Sequence, residues 1–281
     1  MAQSKQAIKS RIDSVDSTRK ITNAMQLVAS SKLTKARNMM DKNREYAQSL
    51  MELLAMVLER SAPSDPMRQD NEHMPSYLFI ITSDMGLCGG YNANMYRQAL
   101  HDISENDQVC IIGSRGASWA KARNLEAENT LIDLNDDDAY DRLASAMNQA
   151  LHLYREGKVG SIKVLYTKYV NTLTFEPTLE SLIPPETPEV DTDNVSASTI
   201  FEPSRDVMLD TILPMAAKSQ LYSRYLESKT SEQASRRMAM ETATDNADEL
   251  MDELNLEYNR VRQSAITQEI TEIVSGANAL A

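Results

Sequence analysis

A chain of 281 residues with 42% apolar composition is long enough for one or two domains, and a formal net charge of −12 excludes a nucleic-acid binder by overall electrostatics. Aromatic residues make up only 5%, and the 16 methionines outnumber Phe and Trp together, a composition suited to narrow helix seams rather than one wide core. The two cysteines, Cys88 and Cys110, lack C-x-x-C spacing and read as reduced, buried thiols, and no apolar run approaches the roughly 18 residues that span a bilayer.

The first tract, residues 1–62, contains neither proline nor glycine, because all nine prolines fall between Pro63 and Pro214 and seven of the eight glycines between Gly86 and Gly160. Such a tract can run as one helix, roughly 90 Å long at 1.5 Å per residue. It begins as amphipathic helix with no apolar signal core, so no secretory signal is expected. Ile8, Ile12 and Val15, then Ala36, Met40, Ala47, Leu50, Leu54 and Val57, recur in steps close to three and four, the spacing of a supercoiled seam. Thr22 and Asn43 interrupt that seam. Residues 1–44 carry ten Lys or Arg against three Asp, which reads either as a solvated face or as a surface for an acidic partner.

After a Pro-, Asp- and Ser-rich linker, residues 62–75, the middle block alternates strands and helices. Strands are expected at 77–82, 109–112, 130–133 and 161–170, with helices at 95–103, 117–124 and 143–154 between them. Segments 172–175 and 178–183 read as further extended chain before a polar loop at 184–198. Strand, glycine turn, helix, strand is the pattern of a parallel α/β sheet with crossover helices. The last tract is again free of both breakers from 215 to 275, with Ala243, Ala247, Leu250, Leu254, Val261 and Ala265 at seam spacing. The fold expected is therefore α/β plus a long antiparallel coiled coil: helices over 1–62 and 206–281 pair, and a Rossmann-like parallel-sheet domain over 63–205 is inserted between them. A homodimeric coil is the rival pairing.

No catalytic, cofactor or metal site assembles from these residues. The glycines at 86–90 fit neither G-x-x-x-x-G-K-[ST] nor G-x-G-x-x-G, and a tight turn is the simpler reading. His73, His101 and His152 are isolated, Ser83 and Ser114 lack a G-x-S-x-G context, and Asp136, Asp137 and Asp138 read as a solvated loop.

Residues 266–279, ITQEITEIVSGANA, resemble the signature of the γ subunit of F-type ATP synthases. KITNAM at 20–25, DMGLCGGYN at 84–92, Phe201-Glu202-Pro203 and the stretch from Ser231 to Asn246 continue the likeness over nearly the whole chain. The resemblance implies a rotor shaft without catalysis of its own. Its paired terminal helices would pass through a ring of α and β subunits, and its α/β domain would sit on the ε subunit and the membrane c-ring, at the cytoplasmic face of a bacterial membrane. Proton-driven rotation would change the β sites in turn. Met25 and Arg236 resemble the contact with the acidic lever of β, with Arg237 a second cation beside it. Arg262 and Gln263 resemble the catch contact, with Thr267 and Glu269 in the same zone, and Phe201 and Glu202 resemble the foot on the c-ring. The uncharged tail 276–281 would suit a tip turning in an apolar bearing. A coiled-coil scaffold with a non-catalytic α/β domain, or a nucleotide-dependent enzyme built on that domain, are the competing readings.

Overall fold

The structure, a computed structural model, describes residues 5–59, 73–185 and 204–280. In chain order α1 (Lys5–Glu59) is followed by β1 (Ser76–Ile81), α2 (Tyr91–Asp102), β2 (Gln108–Ile112), α3 (Ser114–Ala122) and β3 (Asn129–Leu131). Then come α4 (Ala139–Arg155), β4 (Ser161–Tyr169), β5 (Phe175–Ile183) and α5 (Arg205–Leu280). The chain divides into two compact units, Met1–Ala29 with Arg236–Ala281, and Ser30–Ser235. Both divisions fall inside long helices.

α5 runs for 76 residues, through Pro214 and Gly276, both of which lie within the helix expected over 206–281. A proline inside a helix removes one N–H and crowds the preceding turn, at a cost of about 3 kcal/mol. Leu213, Ala216 and Ala217 around it are buried in a common core, and that packing keeps the turn helical. A Cβ on Gly276 would meet no neighbouring atom, so it is an open helical position.

In the Ser30–Ser235 unit the five strands are ordered β3-β2-β1-β4-β5. β1 runs parallel to β2 and β4, and β2 parallel to β3. β5 is antiparallel to β4, so the parallel sheet expected carries one antiparallel edge strand. The cause is local. Asn171 Oδ1 accepts from the N–H groups of Leu173 and Thr174, both at 2.9 Å, and closes a turn far shorter than the dozen or more residues a parallel crossover needs. Of the two extended segments expected after 171, the first is mostly this turn and the second is β5, Phe175–Ile183.

Alternation along the strands sends Leu78, Ile80, Val109, Ile111 and Leu165 to one face, where Met95 and Ala99 of α2 and Ala120 of α3 cover them. Tyr77, Phe79, Ile81, Cys110, Ile112 and Val164 point to the other face, into the core shared with α4. Leu50, Leu54, Val57 and Leu58 of α1 and Leu209, Leu213, Leu221 and Tyr225 of α5 belong to that same core. Of these, Leu50, Leu54 and Val57 were expected in a coiled-coil seam. Steps of three and four mark any one-sided helix, whether it lies on a helix or on a sheet, and the sequence pattern does not tell the two apart.

In the other unit the two helices do form a narrow antiparallel pair. The hydroxyls of Thr22 and Thr244 lie 2.8 Å apart, Arg19 Nη1 is 3.4 Å from Asp248 Oδ1, and the Lys5 ammonium lies 5.9 Å from the Tyr258 ring centre. As the first number rises the second falls, which is antiparallel register. Ile8, Ala29, Met240, Ala247 and Leu254 are its buried apolar positions, fewer than a core of this length would hold in a globule. Thr22, expected as a polar interruption, is a cross-seam hydrogen bond of the kind that sets register at some cost in stability.

Candidate functional site

Beyond Leu254 no described residue of α5 is buried. Ile266, Ile270 and Ile273 are all exposed, Ile270 at 56%. At 3.6 residues per turn they fall within an arc of about 60°. Arg262 and Glu269 border that arc on one side, and Gln263 and Thr267 on the other. Thr267 donates to the carbonyl of Gln263 at 3.0 Å, one turn back. Three isoleucines in line on an exposed helix are an unfilled half of an apolar contact. All four residues predicted for the catch therefore surround one stripe.

Lower on the same unit, Met25 is half-buried and flanked by the exposed Ile21, Leu27 and Val28. Arg236 is only 7% exposed, not the open surface cation that its predicted contact would suggest. Arg237 is half-buried, and its Nε has no hydrogen-bond partner. Phe201 and Glu202, the predicted foot, lie outside the described residues.

Open α/β sheets bind ligands beyond the carboxyl ends of the strands, where the strand order reverses. Here that point lies between β1 and β4. It is filled by α5. A cavity of about 20 Å³ remains, lined in part by Thr82, Asp84, Tyr91, Tyr225, Lys229 and Glu232, room for about one water. Burial pushes the Tyr91 hydroxyl far above the ordinary tyrosine range, with the Glu232 carboxylate acting in the same direction. The Tyr91 hydroxyl lies 2.7 Å from Ser228 Oγ.

The glycine turns around this crevice serve packing. Thr82 Oγ1 donates to the Ile112 carbonyl at 2.8 Å and accepts from the Gly116 N–H at 3.0 Å. A Cβ on Gly113, at φ +106°, would stand 2.4 Å from the Thr82 carbonyl oxygen. Asp84 Oδ1 accepts from the Ser114 N–H at 2.9 Å and its hydroxyl at 3.0 Å, which pins the turn after β1 to the start of α3.

Asp136, in an exposed turn as expected, also lies 2.6 Å from Lys35 Nζ of α1 and 3.7 Å from Lys229 Nζ of α5. The hydrogen bond from Lys35 holds its carboxyl below the usual carboxylate value, with Lys229 adding to the effect. Among the described residues no group of His, Cys, Asp or Glu could hold a metal ion, and no helix is long and apolar enough to cross a membrane.

Three comparisons bear on this geometry. A family profile described as ATP synthase matches residues 4–280. The chain is 38% identical to the ATP synthase gamma chain of Clostridium pasteurianum over 97% of each chain. It is 36% identical to that of Symbiobacterium thermophilum over 100% of this chain and 99% of the relative. In fold it resembles a chain of the Euglena gracilis mitochondrial ATP synthase in an assembly of OSCP, F1 and c-ring, with TM-score 0.69, 16% identity, and 98% and 94% of the two chains covered. A chain of the Tetrahymena thermophila mitochondrial ATP synthase central stalk and c-ring gives TM-score 0.59 at 23% identity, covering 79% of this chain and 99% of that one.

Proposed function

The chain belongs to the ATP synthase gamma-chain family, and from that premise we propose that it is the central shaft of a rotary ATP synthase, carrying rotation between a membrane c-ring and a ring of catalytic β subunits with α between them. The observation that carries this reading is the exposed end of α5. Its isoleucine stripe faces outward along the last turns described, and a sleeve of apolar surface from surrounding subunits would cover it. Full burial of an isoleucine is worth about 1.5–3 kcal/mol, and because these three are already partly covered, completing their burial adds about 1–2 kcal/mol each.

On this reading Arg262, Gln263, Thr267 and Glu269 are the contacts that catch β, placed to either side of the stripe. Exposed ion pairs are worth about 0–1 kcal/mol and re-form readily, which suits contacts broken and remade at each step. Met25 meets the acidic lever of β from the first helix. With Arg236 buried, Arg237 is the better-placed cation beside it. The excess positive charge of residues 1–44 complements such a lever. Phe201 and Glu202 rest on the c-ring, and the ε subunit packs against the α/β domain. Nucleotide chemistry belongs to β; the crevice that would hold a ligand in this chain is occupied by α5. The complex works at the cytoplasmic face of a bacterial membrane, held there through its partners.

The test is co-expression with the α and β chains of the same organism, followed by purification and an ATPase assay. Assembly of the wild-type chain, and its loss in the triple variant Ile266→Ser, Ile270→Ser, Ile273→Ser, is the result expected. A wild-type chain that forms a homodimer and leaves α and β unbound overturns the proposal in favour of a coiled-coil scaffold.

A further inference from the structure

Strand β4 outruns its neighbour. β1 pairs with it only from Ser76 opposite Ser161 to Ile80 opposite Leu165, while β4 continues to Tyr169. On the β5 side the extension is covered, with Thr167 opposite Pro177 and Tyr169 opposite Phe175. Pro177 has no N–H to offer, and the N–H and C=O of Thr167 turn the other way, towards the place a strand would occupy if β1 were longer. Buried backbone groups of this kind need partners.

Helix α5 supplies them. The Thr167 N–H donates to Ser228 Oγ at 3.2 Å, Ser231 Oγ donates to the Thr167 carbonyl at 3.1 Å, and the Tyr169 N–H donates to Glu227 Oε1 at 3.1 Å. One further turn along, Ser235 Oγ donates to the Cys88 carbonyl at 2.7 Å and fastens the turn after β1. Ser228 and Ser231 have no measurable exposure, and Ser235 is buried with them. Positions 228, 231 and 235 share one helix face by their spacing. Serine is a weak choice inside a helix, so three on one face call for a reason. At the outer end Arg224 Nη2 lies 2.6 Å from Glu180 Oε1 of β5, and Arg224 Nη1 lies 3.2 Å from Glu227 Oε2.

We propose that Ser228 and Ser231, with Glu227, form the torque joint of the shaft: they stand in for a missing strand along β4 and lock the rotational and axial setting of α5 against the sheet. The inference rests on the rotor reading above. Apolar burial is non-directional and allows a helix to roll or slide on its bed. Hydrogen bonds weaken steeply once donor and acceptor move out of line, so a row of them to strand backbone resists both motions. The apolar residues of the same stretch of α5, Leu221, Tyr225 and Leu226, provide adhesion. The serine face provides registry. These serines are positioning residues, since they touch neither nucleotide nor transported ion.

The double variant Ser228→Ala, Ser231→Ala in the assembled membrane complex tests this, by measuring ion transport per ATP hydrolysed in sealed vesicles. The expected result is ATP hydrolysis within twofold of wild type and a transport-to-hydrolysis ratio reduced to below half. A merely structural loss would lower the amount of complex and leave that ratio alone. An unchanged ratio in assembled complex overturns the joint. Wild-type vesicles that show no ATP-driven transport would instead sink the rotor reading, so the two failures are distinct. Hydrogen exchange on the full-length free chain covers the case where the variant does not assemble. The Thr167 amide should exchange at least tenfold faster in the Ser228→Ala chain, with the amides of 162–165 unchanged. Equal protection of Thr167 in both chains overturns the proposal.

Discussion

Replacing Leu54 by alanine separates a rod from a core. Were the second half of α1 one strand of a free coiled coil, Leu54 would be one of many equivalent seam residues. In the structure its exposure is 0%, and it lies in the core with Phe79 of the sheet and Leu213 of α5. Leu→Ala in an enclosed core costs about 2–5 kcal/mol, made up of lost transfer energy and the residual cavity. Full enclosure places Leu54 in the upper part of that range, about 3–4 kcal/mol. For a unit of this size 1 kcal/mol moves the melting midpoint by about 2–4 °C, so a fall of about 6–16 °C is expected. The control is Ile21→Ala on the same helix, in the other unit and 60% exposed, where the change should stay within about 0.5 kcal/mol. Trp119, the sole tryptophan, packs against the opposite face of the sheet, so urea unfolding followed by its fluorescence reports this unit. If Leu54→Ala shifts the midpoint no more than Ile21→Ala, the assignment of residues 50–58 to the sheet core is wrong.

Three further outcomes are expected. Gly113→Ala places a Cβ 2.4 Å from the Thr82 carbonyl oxygen at φ +106° and should cost more than about 3 kcal/mol or abolish soluble expression, whereas Gly157→Ala, at φ +66° in open space, should cost only about 1–2 kcal/mol in the same unfolding assay. Asp136 has a folded pKa below its model-peptide value of 3.8, so its contribution is fully present above that value and is lost as pH falls through the lower folded one. The stability gap between wild type and Asp136→Asn should therefore be constant from pH 5 to 7 and close below about pH 4; because Lys35 is largely exposed, the gap should be under about 1 kcal/mol, and a gap that widens in acid would refute the pairing. Burial pushes the Cys110 thiol up to about 12 and Cys88 is also buried, so iodoacetamide at pH 8 should label neither in the native chain, with both reacting only as the fluorescence transition proceeds.

Two long helices at the ends and an α/β block between them were legible in the sequence, because proline and glycine act locally: each forbids or penalises a helix wherever it stands, and their absence over 1–62 is a statement about that tract alone. Strands such as 77–82 were legible for the same reason, from β-branched and aromatic runs bounded by glycine turns. The residues proposed for the catch lie along one helix, and a helix places residues 262, 266, 269 and 273 on one side whatever surrounds it, so their grouping was legible in the sequence. The serine face at 228, 231 and 235 was visible as spacing but had no meaning until β4 was seen to outrun β1. Which helix residues would meet the sheet, that β5 would turn back against β4, that Asp136 would hold two lysines and that Arg236 would be buried were decided only by tertiary structure. Each depends on a partner dozens to more than a hundred residues away, or on a turn of five residues whose geometry rests on one asparagine side chain, and periodicity carries no record of what lies opposite.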